Sequence, residues 1–405
     1  MEKRIKIIIT LFLSFLVLEG CSTQVKKIDL AISSDFSEKQ LLSGTYILSF
    51  PVSNADLPEI DILELNDEMK LFLTSVNAKR EGDKLDALVH KLQSQNFSIF
   101  YDADATLNAA QVFDQQRGNC MAFSTFVIAM SREIGVDTKF NEVFIPELRY
   151  LDNQQTFIYQ HINVLATIDN RPQILDFNFT DYNPEYRQQI LGDNEAFAKF
   201  YSNLAMEFLA DRDFKKAFLY ILKSLSLAPD EADLWNNMGA IYRSAGFEKQ
   251  AISAYAIALR FDRKNLVTLS NLEKVLRAQG DFQMADTLSE KLYDYRKKDP
   301  YYWYGQALKA YRDELYELAA NRVKDAISIK KEDHRFHFLL GMARLKSGTK
   351  GYKRSFQKAL ALSVGGKDQA QYRKKLKSLG IPELERARSR DHWRLTVIDG
   401  WWWLN

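Results

Sequence analysis

The chain of 405 residues contains only two cysteines, Cys21 and Cys120. So few cysteines exclude a small fold held together by several disulfides. The five histidines show no metal-ligand spacing, so we predict no metal site and no cofactor. The chain also lacks an excess of charge of one sign. Its 55 basic and 53 acidic residues leave a net charge of +2, which excludes a general affinity for nucleic acid.

The apolar run at the N-terminus is too short to span a bilayer comfortably. It covers residues 7–18 and follows three basic residues, which predicts an export signal over residues 1–20. The next residues complete Leu18-Glu19-Gly20-Cys21, which resembles the lipobox of bacterial lipoproteins, although Glu19 is atypical. The resemblance implies a lipid on Cys21 and, from Ser22, the periplasmic face of the outer membrane. An uncleaved anchor and an ordinary signal peptide are the alternatives.

Residues 21–58 are polar and rich in serine, and they predict a tether with one short strand at 44–50. Residues 59–195 show mixed helix and strand patterns, which predict an α+β domain. Its expected helices before the cysteine segment cover residues 60–76, 83–92 and 106–113.

The central motif of this domain is Gly118-Asn119-Cys120. Asn119 is a good N-cap for a helix that begins at Cys120, and Gly135 is suited to end it. Cys120 would then lie at the positive end of the helix dipole, which favours the nucleophilic thiolate. If Cys21 carries lipid, Cys120 has no disulfide partner, which adds weight to a functional thiol. The alternative is that Cys120 is simply a small buried apolar residue.

Two strands follow this helix. Residues 159–168 read as a strand that carries His161, and residues 173–179 read as its hairpin partner, carrying Asp176. A helix with Cys, a strand with His and a neighbouring strand with Asp form a thiol triad in chain order. Over residues 97–185 the chain resembles the transglutaminase-like branch of the papain-type thiol fold.

The resemblance implies that His161 takes the proton of Cys120 and that Asp176 orients the imidazole. It also implies an oxyanion donor at Gln115 or Gln116. Hydrolysis of a peptide or amide is the leading reaction, and acyl transfer to an amine is the second. The chain departs from the family at residues 121–122 and 162–163, which bears on substrate choice.

From residue 196 the chain shows a helical repeat of thirty-four residues. Windows that begin at Ala198, Ala232, Leu266 and Pro300 all have alanine at their twentieth position: Ala217, Ala251, Ala285 and Ala319. The pattern resembles tetratricopeptide repeats (TPR), with about five repeats over 196–364 and a capping helix over 365–380. Glu273 weakens the third repeat, and the fifth is expected to have a shortened turn at Gly348 to Gly351.

The groove of such an array is expected to bind a protein or peptide. Its candidate residues are Asn236, Arg243, Lys274 and Arg277, which suit an acidic or carboxylate group. The alternative is a solvated helix face. The tail over 381–405 is charged and ends in Trp401, Trp402 and Trp403, which can dock on either domain or rest at a membrane interface.

Together these features predict an envelope-anchored, cysteine-dependent acyl-transfer enzyme with a TPR array for a partner or substrate. The rival prediction belongs to another class. In it the thiol domain is inactive, and the protein is a scaffold for protein–protein interaction.

Overall fold

The computed structural model describes residues 35–76, 79–95, 97–145, 159–168, 171–176, 186–363 and 366–382. Cys21, the signal segment and the tail with Trp401–Trp403 lie outside the described residues. The described chain has an α+β part, residues 59–191, which we call the sheet region. An all-α part, residues 193–378, follows it, and we call this part the repeat array.

The sheet region combines four helices with a four-stranded antiparallel sheet. The helices are α2 (Asp67–Leu73), α3 (Glu81–Ser94), α4 (Ala109–Gln115) and α5 (Cys120–Glu133). The short strands β1 (Phe100–Tyr101) and β2 (Arg117–Gly118) pair in parallel. The main strands are β3 (Thr138–Ile145), β4 (Tyr159–Ile168), β5 (Arg171–Leu175) and β6 (Gln188–Leu191), in the spatial order β5-β4-β3-β6.

Two of the predicted helices differ from the structure. The one expected over 60–76 forms only as α2, because Asn66 caps it by accepting a hydrogen bond from the amide of Met69. The one expected over 106–113 begins at Ala109, because Asn108 rather than Thr106 is its N-cap. The hydroxyl of Thr106 instead accepts a hydrogen bond from Asn119, the N-cap of α5.

Residues 35–58 pack on the repeat array rather than forming the expected tether. They contain α1 (Glu38–Leu41) and a 3₁₀ turn at Asn54–Asp56, and no strand forms at 44–50. Leu41 is fully buried, and its carbonyl accepts a hydrogen bond of 2.5 Å from the hydroxyl of Tyr242. Tyr46 packs edge-on against Tyr242 and also contacts Phe247.

The repeat array consists of helical hairpins. Its helices are α6 (Asp193–Ala210), α7 (Phe214–Leu227), α8 (Ala232–Ser244), α9 (Glu248–Phe261), α10 (Leu266–Ala278), α11 (Phe282–Arg296), α12 (Pro300–Arg312), α13 (Tyr316–Ile329), α14 (His334–Lys346), α15 (Tyr352–Leu362) and α16 (Gly366–Ser378). From α8 onward the first helices begin at the predicted thirty-four-residue interval, whereas α6 begins at Asp193, five residues before its window. The four alanines at the twentieth position are fully buried. These helix pairs confirm the TPR prediction.

The fifth repeat departs from the prediction. Its turn covers residues 347–351, whereas the turn of the fourth covers 313–315, so the turn is longer and not shortened. The two added residues move the small buried position to Ser355. In the third repeat, Glu273 is largely buried and forms an ion pair with Arg277.

The first helix of the array belongs to two cores. Ala196, Phe200 and Tyr201 of α6 pack in one apolar cluster with Phe140 and Leu191 of the sheet. The fifth repeat also touches the sheet region, because Arg335 at the start of α14 donates a 2.8 Å hydrogen bond to the hydroxyl of Tyr186. The two parts are therefore in contact through the first and the fifth repeats of the array. Within the described residues, no helix is long and apolar enough to cross a membrane.

Candidate active site

Cys120 is the first residue of α5 and is partly exposed. Asn119 caps the helix by accepting from the amide of Ala122 at 3.0 Å, while its own side-chain amide donates to Thr106 at 2.8 Å. Gly118 is required before the cap, because a Cβ atom there would lie 2.7 Å from that of Ala122. The position of the thiol is thus fixed by the cap and by a close backbone approach.

The helix that carries Cys120 is tied to the strand that carries His161. The hydroxyl of Ser124, one turn after Cys120, donates to the carbonyl of Cys120 at 2.8 Å and lies 3.2 Å from the carbonyl of Ile162. Ser124 is fully buried, so this junction is shielded from water. It holds the first turn of α5 against β4 directly beside the histidine.

His161 and Asp176 form a buried pair. His161 lies on β4 with 3% of its surface exposed, and Asp176 follows β5 with 6% exposed. Nε2 of His161 is 2.7 Å and 2.8 Å from the two carboxylate oxygens. Because a carboxylate only accepts, Nε2 carries the proton, and Nδ1 is the ring nitrogen left for another partner.

That other partner is the thiol of Cys120, which hydrogen-bonds to the His161 ring. Burial opposes protonation of the imidazole, but the hydrogen bonds to Asp176 and Cys120 outweigh it and raise the pKa of His161 to about 10. The structure therefore brings the three predicted side chains together, in the order thiol, imidazole, carboxylate. A protonated imidazole that contacts a carboxylate on one side and a thiol on the other is the arrangement that a thiolate–imidazolium pair requires.

An apolar cavity of about 50 Å³ adjoins the carboxylate end of this site, between α3, α5 and β5. Its apolar lining residues are Leu85, Leu88, Val89, Leu92, Phe123, Phe126, Val127, Met130 and Leu175. Asp176 is the polar member of this lining. Low polarity on this side strengthens the hydrogen bond between Asp176 and His161.

Two buried asparagines continue the site beyond the carboxylate. Asn163 on β4 donates to Asp176 at 2.9 Å, and Asn141 on β3 donates to Asn163 at 2.8 Å. Both side chains are almost fully buried. From the sequence, Asn163 is noted only as a departure that bears on substrate choice, and Asn141 is not singled out. Asparagine is uncommon inside strands, so two buried examples are a usable signal.

The glutamines proposed as oxyanion donors have other roles in the structure. Gln115 accepts a hydrogen bond from Arg117, and Gln116 ends α4 in a left-handed conformation. Both side chains are exposed, and their oxyanion role stays a prediction. The amides of Cys120 and Met121 precede the first intrahelical bond of α5, so they are better placed donors for an oxyanion.

The groove candidates of the repeat array divide into two kinds. Asn236 is buried and accepts from Asn271 at 3.0 Å, and Arg277 is paired with Glu273 and Asp286. Both therefore serve contacts within the array. Arg243 and Lys274 are half-exposed, and their partner-binding role stays a prediction.

No protein-family model matches the chain, and no curated protein matches it. Among solved structures, the chain is similar to MamA from Desulfovibrio magneticus RS-1, with 17% identity over 47% of this chain and 96% of that chain at a TM-score of 0.24. It is also similar to pilF of Pseudomonas aeruginosa, with 16% identity over 46% and 94% at a TM-score of 0.26. A third is YrrB, a TPR protein with an unusual peptide-binding site, with 15% identity over 44% and 92% at 0.24. The repeat architecture is shown by the helix pairs described above.

Proposed function

We propose that the protein is a cysteine-dependent acyl-transfer enzyme of the transglutaminase-like, papain-type class, and that it hydrolyses peptide or amide bonds. The observation that carries the proposal is the continuous hydrogen-bonded series from Cys120 through His161 to Asp176.

In the proposed reaction the Cys120 thiolate attacks the amide carbonyl carbon, and the amides of Cys120 and Met121 face the developing oxyanion. The C–N bond then breaks as protonated His161 gives its proton to the leaving amine, which leaves a thioester on Cys120. His161 next takes a proton from water, the hydroxide attacks the thioester, and the C–S bond breaks. An amine in place of water would give the transferase outcome.

The test is the reactivity of Cys120 toward iodoacetamide at neutral pH. It uses the full chain with Cys21→Ala, so that one thiol remains, and glutathione as the reference thiol. We expect Cys120 to react about ten- to a hundredfold faster than glutathione, because its thiolate is paired with imidazolium. Cys120→Ser should abolish the reaction.

His161→Gln should slow alkylation to the rate of the reference thiol. His337→Gln is the matched control, because His337 is a half-buried histidine of the array that bonds to the carbonyl of Lys331. A wild-type rate no higher than that of glutathione, unaffected by His161→Gln, would refute the enzyme and leave the scaffold.

The second part of the proposal is that the repeat array binds a protein or peptide, either a substrate or a partner. It is supported by five helical hairpins, whose stacking creates an extended surface. If the thiol proves inactive, this binding role is the whole function. Trapping an acyl group on Cys120 in envelope extract and identifying it by mass spectrometry would separate the two outcomes, and faster turnover with added amine would identify a transferase.

The location of the protein is also a proposal. The segment around Cys21 supports a lipid anchor in the cell envelope, on the periplasmic face of the outer membrane. Metabolic labelling with a radioactive fatty acid should mark the wild type and not Cys21→Ser, and an unlabelled wild type would contradict the anchor.

A further inference from the structure

We propose that Asn163 and Asn141 are positioning residues that hold Asp176 in the orientation required by His161. The inference rests on the proposed function of the thiol site and adds residues to it. Neither asparagine touches the thiol, so both would act through the carboxylate.

The contacts form one row of side chains across the sheet. Asn163 Nδ2 lies 2.9 Å from Asp176 Oδ2, and Asn141 Nδ2 lies 2.8 Å from Asn163 Oδ1. Asn141 Nδ2 also lies 2.9 Å from Oε1 of Gln188 on the edge strand β6. The row therefore starts at the partly exposed edge of the sheet and ends at the carboxylate.

The strand register explains why these side chains share one face. Asn141 and Asn163 are directly opposed on β3 and β4, and His161 is two residues before Asn163. Asp176 follows Leu175, which is opposed to Val164, so Asp176 comes level with Asn163. Side chains two residues apart on a strand lie on the same face of the sheet. The backbone pairing thus places acid, base and amides in one layer.

The row has a direction set by the charge at its end. An ionised Asp176 has only acceptor atoms, so Asn163 must present its NH₂ group to it. The carbonyl of Asn163 is then turned toward β3 and needs a donor, which the NH₂ group of Asn141 supplies. The same NH₂ group reaches the carbonyl of Gln188. Rotation of Asn163 by half a turn would break both of its hydrogen bonds at once.

A purely structural role would not require these residues. A buried amide that lacks a hydrogen-bond partner destabilises the fold, so apolar side chains are the safer choice for a buried sheet face. The neighbouring positions show this, because Phe140 and Val164 fill the other face of the same two strands. The side-chain amides of Asn141 and Asn163 instead lie on the face of the sheet that carries the Asp176 carboxylate.

Asn163→Leu tests the proposal, because leucine keeps the volume and removes the donor. We expect the alkylation rate of Cys120 at neutral pH to fall about tenfold, which corresponds to a change of about one unit in the pKa of His161. The pH at which the imidazole titrates, followed by NMR of its ring nitrogens, should move down. Asn141→Leu should give the same change at smaller size.

Thr138→Val is the matched control on β3. Thr138 is buried, and its hydroxyl has no hydrogen-bond partner among the described residues, so the change should leave both the rate and the titration unchanged. If Asn163→Leu lowers stability but its pH profile coincides with that of the wild type, the asparagine is only structural and the proposal is overturned.

A measurement on the wild type covers the case in which the variants do not fold. The side-chain NH₂ resonance of Asn163 should shift when the His161–Asp176 pair titrates, and that of the buried Asn236 in the array should not. If the chemical shift of the Asn163 side-chain NH₂ group does not change with pH, the proposal is overturned. This readout is independent of enzymatic activity: a shifting resonance with an unreactive Cys120 would refute the proposed function and leave the positioning role standing.

Discussion

The sheet region and the repeat array each contain a row of hydrogen-bonded asparagine side chains. In the sheet, the row from Asn141 and Asn163 ends on the carboxylate of Asp176. In the array, Asn271 donates to Asn236, which in turn donates to Asn237 at 3.3 Å. That row ends on the hydroxyl of Ser202 at 2.9 Å, so it joins the first helices of successive repeats.

The two rows have the same chemistry and different end groups. A row that ends on a hydroxyl connects one helix to the next and carries no charge. A row that ends on a carboxylate beside an imidazole controls an ionisation. A buried, hydrogen-bonded asparagine therefore says little about function until the group at the end of its row is known.

The difference between the two rows predicts that the largest change in Cys120 reactivity follows substitution of Asp176, the carboxylate at the end of the sheet row. Asp176→Asn removes the charge that stabilises the imidazolium, so the thiolate loses its partner. We expect the alkylation rate of Cys120 to fall about ten- to a hundredfold, to the rate of the reference thiol. Asp333→Asn is the matched control, because Asp333 is a buried carboxylate of the array bound to Arg335. An equal loss of the Cys120 alkylation rate in the two variants would show that removing a buried carboxylate disturbs the fold in general, rather than the candidate site alone.

The next effect concerns pH. The pKa of His161 in the folded chain, about 10, is above its ordinary value of 6.5, so protonation favours the folded state. This stabilisation is complete below about pH 6.5 and is lost as the pH rises through about 10. Urea unfolding should show a fall on the order of a few kcal/mol across this range, and His161→Gln should flatten it. A wild-type profile as flat as that of the variant would contradict the charged pair.

A third prediction tests whether a packing defect in the repeat array reaches the thiol in the sheet region. Ala251 is fully buried between α8 and α9, so Ala251→Leu should lower the free energy of unfolding by about 1–3 kcal/mol. Ala278→Leu, at an exposed position of α10, should cost little. Thiol reactivity should survive Ala251→Leu if the array is a separate unit. Its loss would show that the shared helix α6 couples the two regions into one cooperative unit.

The smallest effect is expected at Asn236. Asn236→Leu removes the centre of the array row and should lower the free energy of unfolding by about 1 kcal/mol. The pH profile of Cys120 alkylation should remain that of the wild type, in contrast to Asn163→Leu. An altered profile would remove the distinction between the two rows.

Local patterns predict those elements whose partners are close in the chain. The helix from Cys120, the strand Tyr159–Ile168 and the first helices of the repeats are evident because capping and periodicity act within one element. The three side chains of the candidate site also come from this local reading, since each lies at a clear position in a helix or hairpin. Their catalytic role stays a prediction.

Elements with distant partners are not evident in the sequence. Strand β3 is absent from the elements predicted from the sequence, and it contains Asn141 and Glu142 among its buried residues. Asn141 donates a hydrogen bond to Asn163, and Glu142 forms an ion pair with Lys199 of α6 at 3.0 Å. Tyr186 is likewise buried by a contact with Arg335, far along the chain. Periodicity within a window cannot reveal such pairs.

The packing of residues 35–58 on the array has a consequence for the order of folding. Leu41 and the tyrosine that covers it, Tyr242, are separated by 201 residues. At roughly 5–20 residues per second, the ribosome makes the second about 10–40 s after the first. The contact between residues 35–58 and the array can therefore form only after a longer delay than the contacts within the sheet region. Until the second repeat has formed, Leu41 and Tyr46 lack the aromatic surface that they pack against in the folded chain.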